Sequence, residues 1–191
     1  MSAARDLAKF LTGVTAAELP AQALDHAAIL VASTIASAAM GSGLESAAIV
    51  RDMARSLGGS PRASVWFDGG AKLPVVAAAQ INAVMSDAAA SDDSDLRTIV
   101  HCGTPLVATA LAAAEHHGGS GEDVLAAIVV GYEAAGRVID AMTGFRERGF
   151  HGSNAAIFAA TVAAAAAALP STPPNTSKNP SFISRMRSST R

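Results

Sequence analysis

The run SDDSDLRTIVHCGTP brings three carboxylates together with a histidine and the only cysteine of the chain, at Asp92, Asp93, Asp95, His101 and Cys102. Clustered carboxylates beside a histidine can shift one another's pKa values and can serve proton-transfer steps. The same residue types also make turns and cap helices, so spacing alone leaves a capped turn as an alternative to a site. A thiol nucleophile activated by the histidine is a further alternative, although adjacent side chains rarely orient productively. The HxH, CxxC and HExxH spacings typical of metal sites do not occur, and no metal is expected.

A second candidate is His151, within GFHGSN. It precedes a predicted helix start, where free backbone N–H groups can hold a carboxylate or a phosphate. A histidine there, beside Gly149 and Gly152, can line an anion site. The alternative is a turn histidine next to an ordinary cap, since Ser153 is a residue type that caps helices well.

The elements that must position these residues are predicted to be helices. Half of the residues are hydrophobic and only 4% are aromatic, so alanine supplies much of the apolar content and favours closely packed helices. In residues 63–72, alternation followed by Asp68-Gly69-Gly70 predicts a small β-hairpin. The fold class is therefore all-α, an alanine-rich multi-helix domain with one hairpin excursion. Helices are predicted over about 3–14, 20–40, 44–57, 73–90, 104–117, 120–142 and 153–169.

The pattern also predicts which side chains of two of these helices are apolar or buried. The 44–57 segment places Leu44, Ile49, Met53 and Leu57 near one face of an amphipathic helix. His26 lies within an apolar stretch and is expected to be a core or interface histidine.

The last 22 residues, 170–191, differ in composition from the rest. They hold four prolines and four basic residues with no acidic ones, and show no apolar periodicity. Such a segment cannot bury enough surface to offset its ordering entropy, so a disordered Pro/Ser-rich basic tail is predicted. The abrupt change suggests a truncated or frame-shifted gene end.

Charge and hydropathy exclude some classes of partner. Without the tail there are 10 basic residues (14 minus 4) against 16 acidic ones, and this acidic body argues against nucleic-acid binding. The longest low-polarity runs, 27–41 and 155–169, fall short of the ~20 residues that span a bilayer, and the N-terminus lacks a signal-peptide h-region. A protein without a membrane partner, located in the cytoplasm, is expected.

Four stretches, taken in order over about residues 20–169, resemble the MmgE/PrpD family. NAVMSDAAASDDSD, followed by VHCGTP, resembles the family pattern N-G-x-x-x-H-x-x-D-F-D-D-T and its later H-P-S. GEDVLAAIVVGYEAAGRV resembles its helix with a Gly-Tyr-Glu and Gly-Arg centre. GFHGSNAAIFAATVAAAAAAL resembles its G-F-H-P-T segment, and RASVWFDGGAKLPVVAAAQINAV is similar to the stretch before the acidic motif.

The resemblance implies a function. The family includes 2-methylcitrate dehydratase and cis-aconitate decarboxylase, lyases that act on small polycarboxylates without a metal. Its members have a large helical domain followed by a smaller α+β domain and are usually homodimers. For this chain it implies a helical domain over 1–169, a small polycarboxylate substrate, no cofactor, and a homodimer in the cytoplasm, or in the mitochondrial matrix of a eukaryote.

The resemblance also implies site residues. Asp92, Asp93 and Ser94 stand where the family has Asp-Asp-Thr, His101 where it has the histidine of H-P-S, and His151 where it has that of G-F-H-P. In the family these positions line the substrate pocket. The implied catalytic residues are His101, His151 and Asp93, and the implied substrate-binding residues are Asp92, Ser94, Gly152 and Ser153.

Departures from the family pattern leave the reaction open. Ala90 and Ser91 replace the Asp-Phe that opens the acidic motif, Asp87 replaces its histidine, and His101-Cys102-Gly103 replaces H-P-S. They suggest a branch with another substrate, including an epimerase or isomerase that works by proton transfer. The family's catalytic lysines lie beyond the helical core, so an N-terminal fragment of a lyase is expected. The alternatives are an inactive helical fragment that acts in dimerisation and a module that binds a small anion.

Overall fold

The computed structural model describes residues 3–11, 13–96, 99–142 and 144–168. This part of the chain is largely helical, as predicted, and the all-α fold class is confirmed. The predicted disordered tail, 170–191, lies outside the described residues. The helices are α1 (Ala3–Leu11), α2 (Ala21–Gly41), α3 (Glu45–Leu57), α4 (Val75–Ala88), α5 (Gly103–His117), α6 (Gly121–Ala141) and α7 (Ser153–Ala168), with a short 3₁₀ helix at Ala16–Glu18.

The predicted hairpin is present between α3 and α4. Its strands, β1 (Ala63–Ser64) and β2 (Lys72–Leu73), are antiparallel. The turn between them contains Gly69 and Gly70, whose φ angles of 61° and 85° lie in the left-handed region that glycine adopts without a Cβ penalty.

Small residues set the distances between the helices. Helix α5 packs against α4, α6 and α7. A Cβ on Gly131 of α6 would overlap the Leu106 side chain of α5 and lie 3.0 Å from the Ala159 carbonyl oxygen of α7. Alanines fill much of the buried core around these contacts. Because the interfaces are built from small side chains, the helix backbones approach closely.

The amphipathic stripe of α3 faces away from this core. Ile49, Met53 and Leu57 are 60%, 46% and 78% exposed, whereas Ala47 and Ala54 are buried. An apolar stripe on a surface helix ordinarily faces the core. Here the alanine face takes that place because it allows α3 to pack against α4.

Helix α2 is long and apolar. Its most apolar window has a mean hydropathy of 1.5, so by length and composition alone this 21-residue helix could cross a membrane. Helices of soluble bundles meet the same criterion, and α2 packs here against α4, α5 and α6. That the protein has no membrane partner stays a prediction.

Two polar side chains fasten the hairpin to the bundle. The buried Asn82 of α4 donates through Nδ2 to the Ser64 carbonyl oxygen and accepts through Oδ1 from the Trp66 N–H, both at 2.9 Å. Glu115 of α5 accepts from the Ser64 N–H at 2.7 Å and pairs with Lys72 Nζ at 2.6 Å. Burial alone would raise the pKa of Glu115, but the hydrogen bonds from Lys72 and Ser64 outweigh it and lower that pKa.

The lowered pKa of Glu115 predicts a pH dependence of stability. A carboxylate whose pKa is lower in the folded state stabilises the fold above its unfolded pKa, and this contribution is lost as pH falls through the folded value. The free energy of unfolding of Glu115→Gln, measured by denaturant titration, should fall below that of the native chain at pH 7. The difference should shrink as the pH is lowered below the ordinary glutamate value of 4.5. If the two free energies of unfolding differ by the same amount from pH 7 to pH 3, the predicted pH dependence is wrong.

Candidate functional site

The acidic segment between α4 and α5 is folded on itself and held to α2. Ser37 of α2 donates through Oγ to the Ser91 carbonyl oxygen at 3.0 Å, and the Ser91 hydroxyl returns a bond to Ser37 Oγ at 2.9 Å. Further on, the Asp95 N–H donates to the Val100 carbonyl oxygen at 3.0 Å, which closes a turn. Ile99, in this turn, has a φ of 52°, which a β-branched residue rarely adopts. The conformation of the segment is therefore imposed by its contacts.

Asp93 connects the segment to α5. Its Oδ1 accepts a 2.8 Å hydrogen bond from the N–H of Gly103, the first residue of that helix. Its Oδ2 is buried and has no hydrogen-bond partner. Burial raises the pKa of the Asp93 carboxyl, and the negative charge of Asp92 adds to this, while the Gly103 bond opposes it. The geometry thus gives Asp93 an anchoring contact, and its predicted catalytic role stays a prediction.

The contact between Asp93 and Gly103 needs glycine. A Cβ at Gly103 would overlap Asp93 Oδ1 and would lie 2.7 Å from Asp93 Cγ and 2.8 Å from Leu30 Cδ1 of α2. The absence of a side chain there lets the carboxylate reach the first N–H of α5, where a negative charge is favoured.

His101 is oriented by its Nδ1 atom. Nδ1 lies 2.7 Å from the Asp93 carbonyl oxygen and 3.1 Å from Asp92 Oδ2. The His101 side chain is 48% exposed and that of Asp92 only 13%. Both contacts are made at Nδ1 and orient the ring. The rest of the half-exposed imidazole, including Nε2, is therefore available to a ligand.

His151 lies at the start of α7. The Ser153 N–H donates to His151 Nδ1 at 3.3 Å, Ser153 Oγ lies 3.0 Å from the same atom, and the His151 N–H donates to Asn154 Oδ1 at 2.9 Å. Ser153 is the first residue of α7. Both its backbone N–H and its hydroxyl therefore tie the histidine ring to the helix start.

Gly152 and Val100 bring the two histidine segments together. A Cβ on the buried Gly152 would lie 2.7 Å from Val100 Cγ2 and 3.3 Å from the Ile99 carbonyl oxygen. Val100 precedes His101 and Gly152 follows His151, so each histidine is one residue from this contact.

The predicted substrate-binding residue Ser94 is exposed, as are Asp87 and Ala90, which depart from the family motif. Ala90, where the family has an aspartate, has a φ of 50°, a left-handed conformation that alanine adopts at a cost of about 1–2 kcal/mol.

The alternative of a Cys102 nucleophile does not fit the structure. Cys102 is buried, and burial raises the pKa of its thiol to about 12, with the charges of Asp93 and Asp95 adding to the effect. The thiolate is the nucleophilic form of cysteine and is therefore not formed at neutral pH.

A cleft of about 620 Å³, which the sequence did not reveal, is lined in part by the acidic segment. His26, predicted to be a core or interface residue, is exposed and lines it with Tyr132 of α6. Neither His101 nor His151 is among its lining residues, which are Gln22, Ala23, His26, Ala27, Leu30, Ile128, Val129, Tyr132, Glu133 and residues 93–96. No group of three or more His, Cys, Asp and Glu side chains placed to hold a metal ion occurs in the described part of the chain.

The fold and the site define a class: an all-helical domain in which an acidic interhelical segment orients an exposed histidine and packs against the segment that holds a second one. A sequence model of the MmgE/PrpD N-terminal domain matches residues 5–176. The chain therefore belongs to the MmgE/PrpD family, whose members are in general dehydratases and decarboxylases. No match was found among curated proteins.

The tight fit at Gly103 predicts the effect of adding one methyl group. Gly103→Ala should break the bond to Asp93 and lower the free energy of unfolding by about 1–3 kcal/mol, the usual cost of overpacking. Gly121→Ala, at the first residue of α6, is the matched control because a Cβ there meets nothing within 4 Å. Denaturant titration of both variants measures the difference. Equal stability of the two variants would contradict this account of Gly103.

Proposed function

We propose that the chain carries the proton-transfer histidines of a lyase that acts on a small polycarboxylic acid. The single observation that carries the proposal is the placement of His101, held at Nδ1 by Asp93 and Asp92 while half of its side chain is exposed beside the His151 segment. Membership of a family of dehydratases and decarboxylases supports this reaction class.

The proposed chemistry is proton transfer next to a carboxylate. His101 removes or returns a proton at the carbon adjacent to a substrate carboxylate, as an oriented imidazole can. His151 holds a substrate carboxylate at the start of α7, and Gly152 and Ser153 shape that end of the site. Ser94 contacts the substrate through its exposed hydroxyl, and Asp92 orients His101. We propose neither a metal nor a cofactor for this step.

The replacement at Ala90 bears on which reaction follows. An aspartate at this position of the family motif would add a negative charge or a proton donor near the substrate, and alanine supplies neither. An enzyme without it can still exchange a substrate proton, so epimerisation or isomerisation remains within the proposal beside elimination.

The proposal predicts that His101 is required for substrate C–H exchange. The chain incubated in D₂O with citrate or 2-methylcitrate should lose C–H proton signals or form an alkene or CO₂, followed by NMR. His101→Gln should lower the rate by roughly 10²–10⁴-fold, the usual contribution of a general base. His116→Gln, an exposed histidine in the last turn of α5, should leave the rate unchanged. Absence of both exchange and elimination with these acids would contradict the proposed function.

A second proposed role, compatible with the first, is formation of a homodimer. The observation that favours it is the outward apolar stripe of α3, which a helix of a monomer would ordinarily bury. Two copies that meet through Ile49, Met53 and Leu57 would remove this surface from water, and symmetric homodimers are the commonest oligomers.

The dimer proposal predicts a position-specific effect of charge on α3. Ile49→Glu should convert the dimer to a monomer, because burying an unpaired carboxylate at the interface is costly. Ala48→Glu is the matched control, since Ala48 is also exposed on α3 but lies off the stripe. Molar mass from light scattering after size exclusion distinguishes the two states. A monomeric native chain, or dissociation by both variants, would contradict the proposal.

A further inference from the structure

The proton on His101 is placed by the group that its Nδ1 contacts. The Asp93 carbonyl oxygen, 2.7 Å away, can only accept a hydrogen bond. Nδ1 must therefore carry the proton and donate it, and the nearby Asp92 carboxylate, at 3.1 Å, favours the same arrangement. In the neutral ring the other nitrogen, Nε2, then carries the lone pair.

The proton on His151 is placed in the opposite way. Its Nδ1 receives the Ser153 backbone N–H, which can only donate. Nδ1 must therefore be the acceptor, and Ser153 Oγ, 3.0 Å away, can donate to it as well. In the neutral ring the proton of His151 is on Nε2.

We propose that these hydrogen bonds hold the two histidines in opposite tautomers and so divide their roles in the site. His101 is the base, acting through the lone pair of Nε2. His151 is a hydrogen-bond donor, acting through its Nε2–H on an anionic oxygen of the substrate. The division rests on the proposed function, whereas the tautomers themselves follow from contacts within the chain.

With these two roles, the histidines can carry out one proton-transfer step on the substrate. Nε2 of His101 takes a proton from the carbon next to a carboxylate, so that a C–H bond breaks and an N–H bond forms. The electron pair of the C–H bond moves into the carboxylate, whose oxygens gain negative charge. The Nε2–H of His151 stabilises that charge without giving up its proton, because a neutral imidazole is a poor acid but a good hydrogen-bond donor. His101 then returns the proton or holds it while a leaving group departs.

The tautomers also give Asp92 and Ser153 distinct positioning roles. Asp92 stabilises the positive charge that His101 gains when it accepts a proton, since its carboxylate lies beside Nδ1. The Ser153 N–H keeps the proton of His151 on Nε2, because it occupies Nδ1 as a donor. In this second role the backbone N–H acts, and the serine hydroxyl is auxiliary.

The test is a long-range ¹H–¹⁵N correlation spectrum of the chain labelled in its histidine rings, at a pH where the rings are neutral. The protonated and lone-pair nitrogens of a neutral imidazole resonate far apart, so each tautomer is read directly. His101→Gln and His151→Gln assign the signals. We expect the Nδ1–H tautomer for His101 and the Nε2–H tautomer for His151. The Nε2–H form at His101, or the Nδ1–H form at His151, would overturn the proposal.

Two variants at one position provide the matched comparison. Ser153→Ala keeps the backbone N–H and should keep the Nε2–H tautomer of His151. Ser153→Pro removes that N–H at a first helical position, where proline is tolerated, and should produce a mixture of tautomers. A His151 tautomer that is unchanged in Ser153→Pro would show that another group sets it and would overturn the assignment.

Kinetics with citrate in D₂O test the roles separately from the tautomers. Ser153→Pro should lower kcat roughly tenfold with a smaller change in KM, because the hydrogen bond to oxygens that gain negative charge in the step is weakened. An unchanged kcat would overturn the donor role of His151. Absence of any turnover by the native chain would contradict the proposed function, while the spectra alone decide the tautomers.

Discussion

The hydrogen bond from the Gly103 N–H to Asp93 is the contact on which the arrangement of the site depends. It joins the acidic segment to the first residue of α5 and thereby fixes the Asp93 carbonyl oxygen against His101. The bond is made at a cost, because burial disfavours the charged carboxylate and raises its pKa. The positive end of the α5 dipole and the hydrogen bond itself offset part of that cost. A glycine at the helix start is what allows it.

The alanine-rich packing supplies the rigid frame around this contact. Because α5 is enclosed by small side chains, its start cannot shift without creating overlaps or cavities in a close-packed interior. The same packing turns the larger apolar side chains of α3 outward. One property of the composition thus both fixes the start of α5 next to His101 and leaves large apolar side chains exposed on α3.

The structure shows what the replacement at Ala90 changes and what the retained aspartates do. Ala90 occupies a left-handed conformation that aspartate tolerates better than alanine, so the replacement brings no conformational advantage. It removes a carboxyl group from the exposed segment and thereby lowers the negative charge beside a site proposed for polyanions. Asp92 and Asp93, which remain, are turned toward His101 and Gly103. The retained motif residues are those that orient the histidine.

The sequence by itself determined the helical fold class, the hairpin at 63–72, the limits of most helices to within a few residues, and the segment that holds His101. It could do so because these features depend on local preferences. Helix propensity, helix breaks at glycine and proline, and turn formation are each set by residues a few positions apart. Only the tertiary structure decided that Asp93 anchors α5, that Cys102 is buried and inert, and that the α3 stripe faces outward. It also brought the His101 and His151 segments together and gave the Nδ1 atom of each ring its hydrogen-bond partner. These properties arise from contacts between residues far apart in sequence, or from side-chain directions that local pattern does not fix.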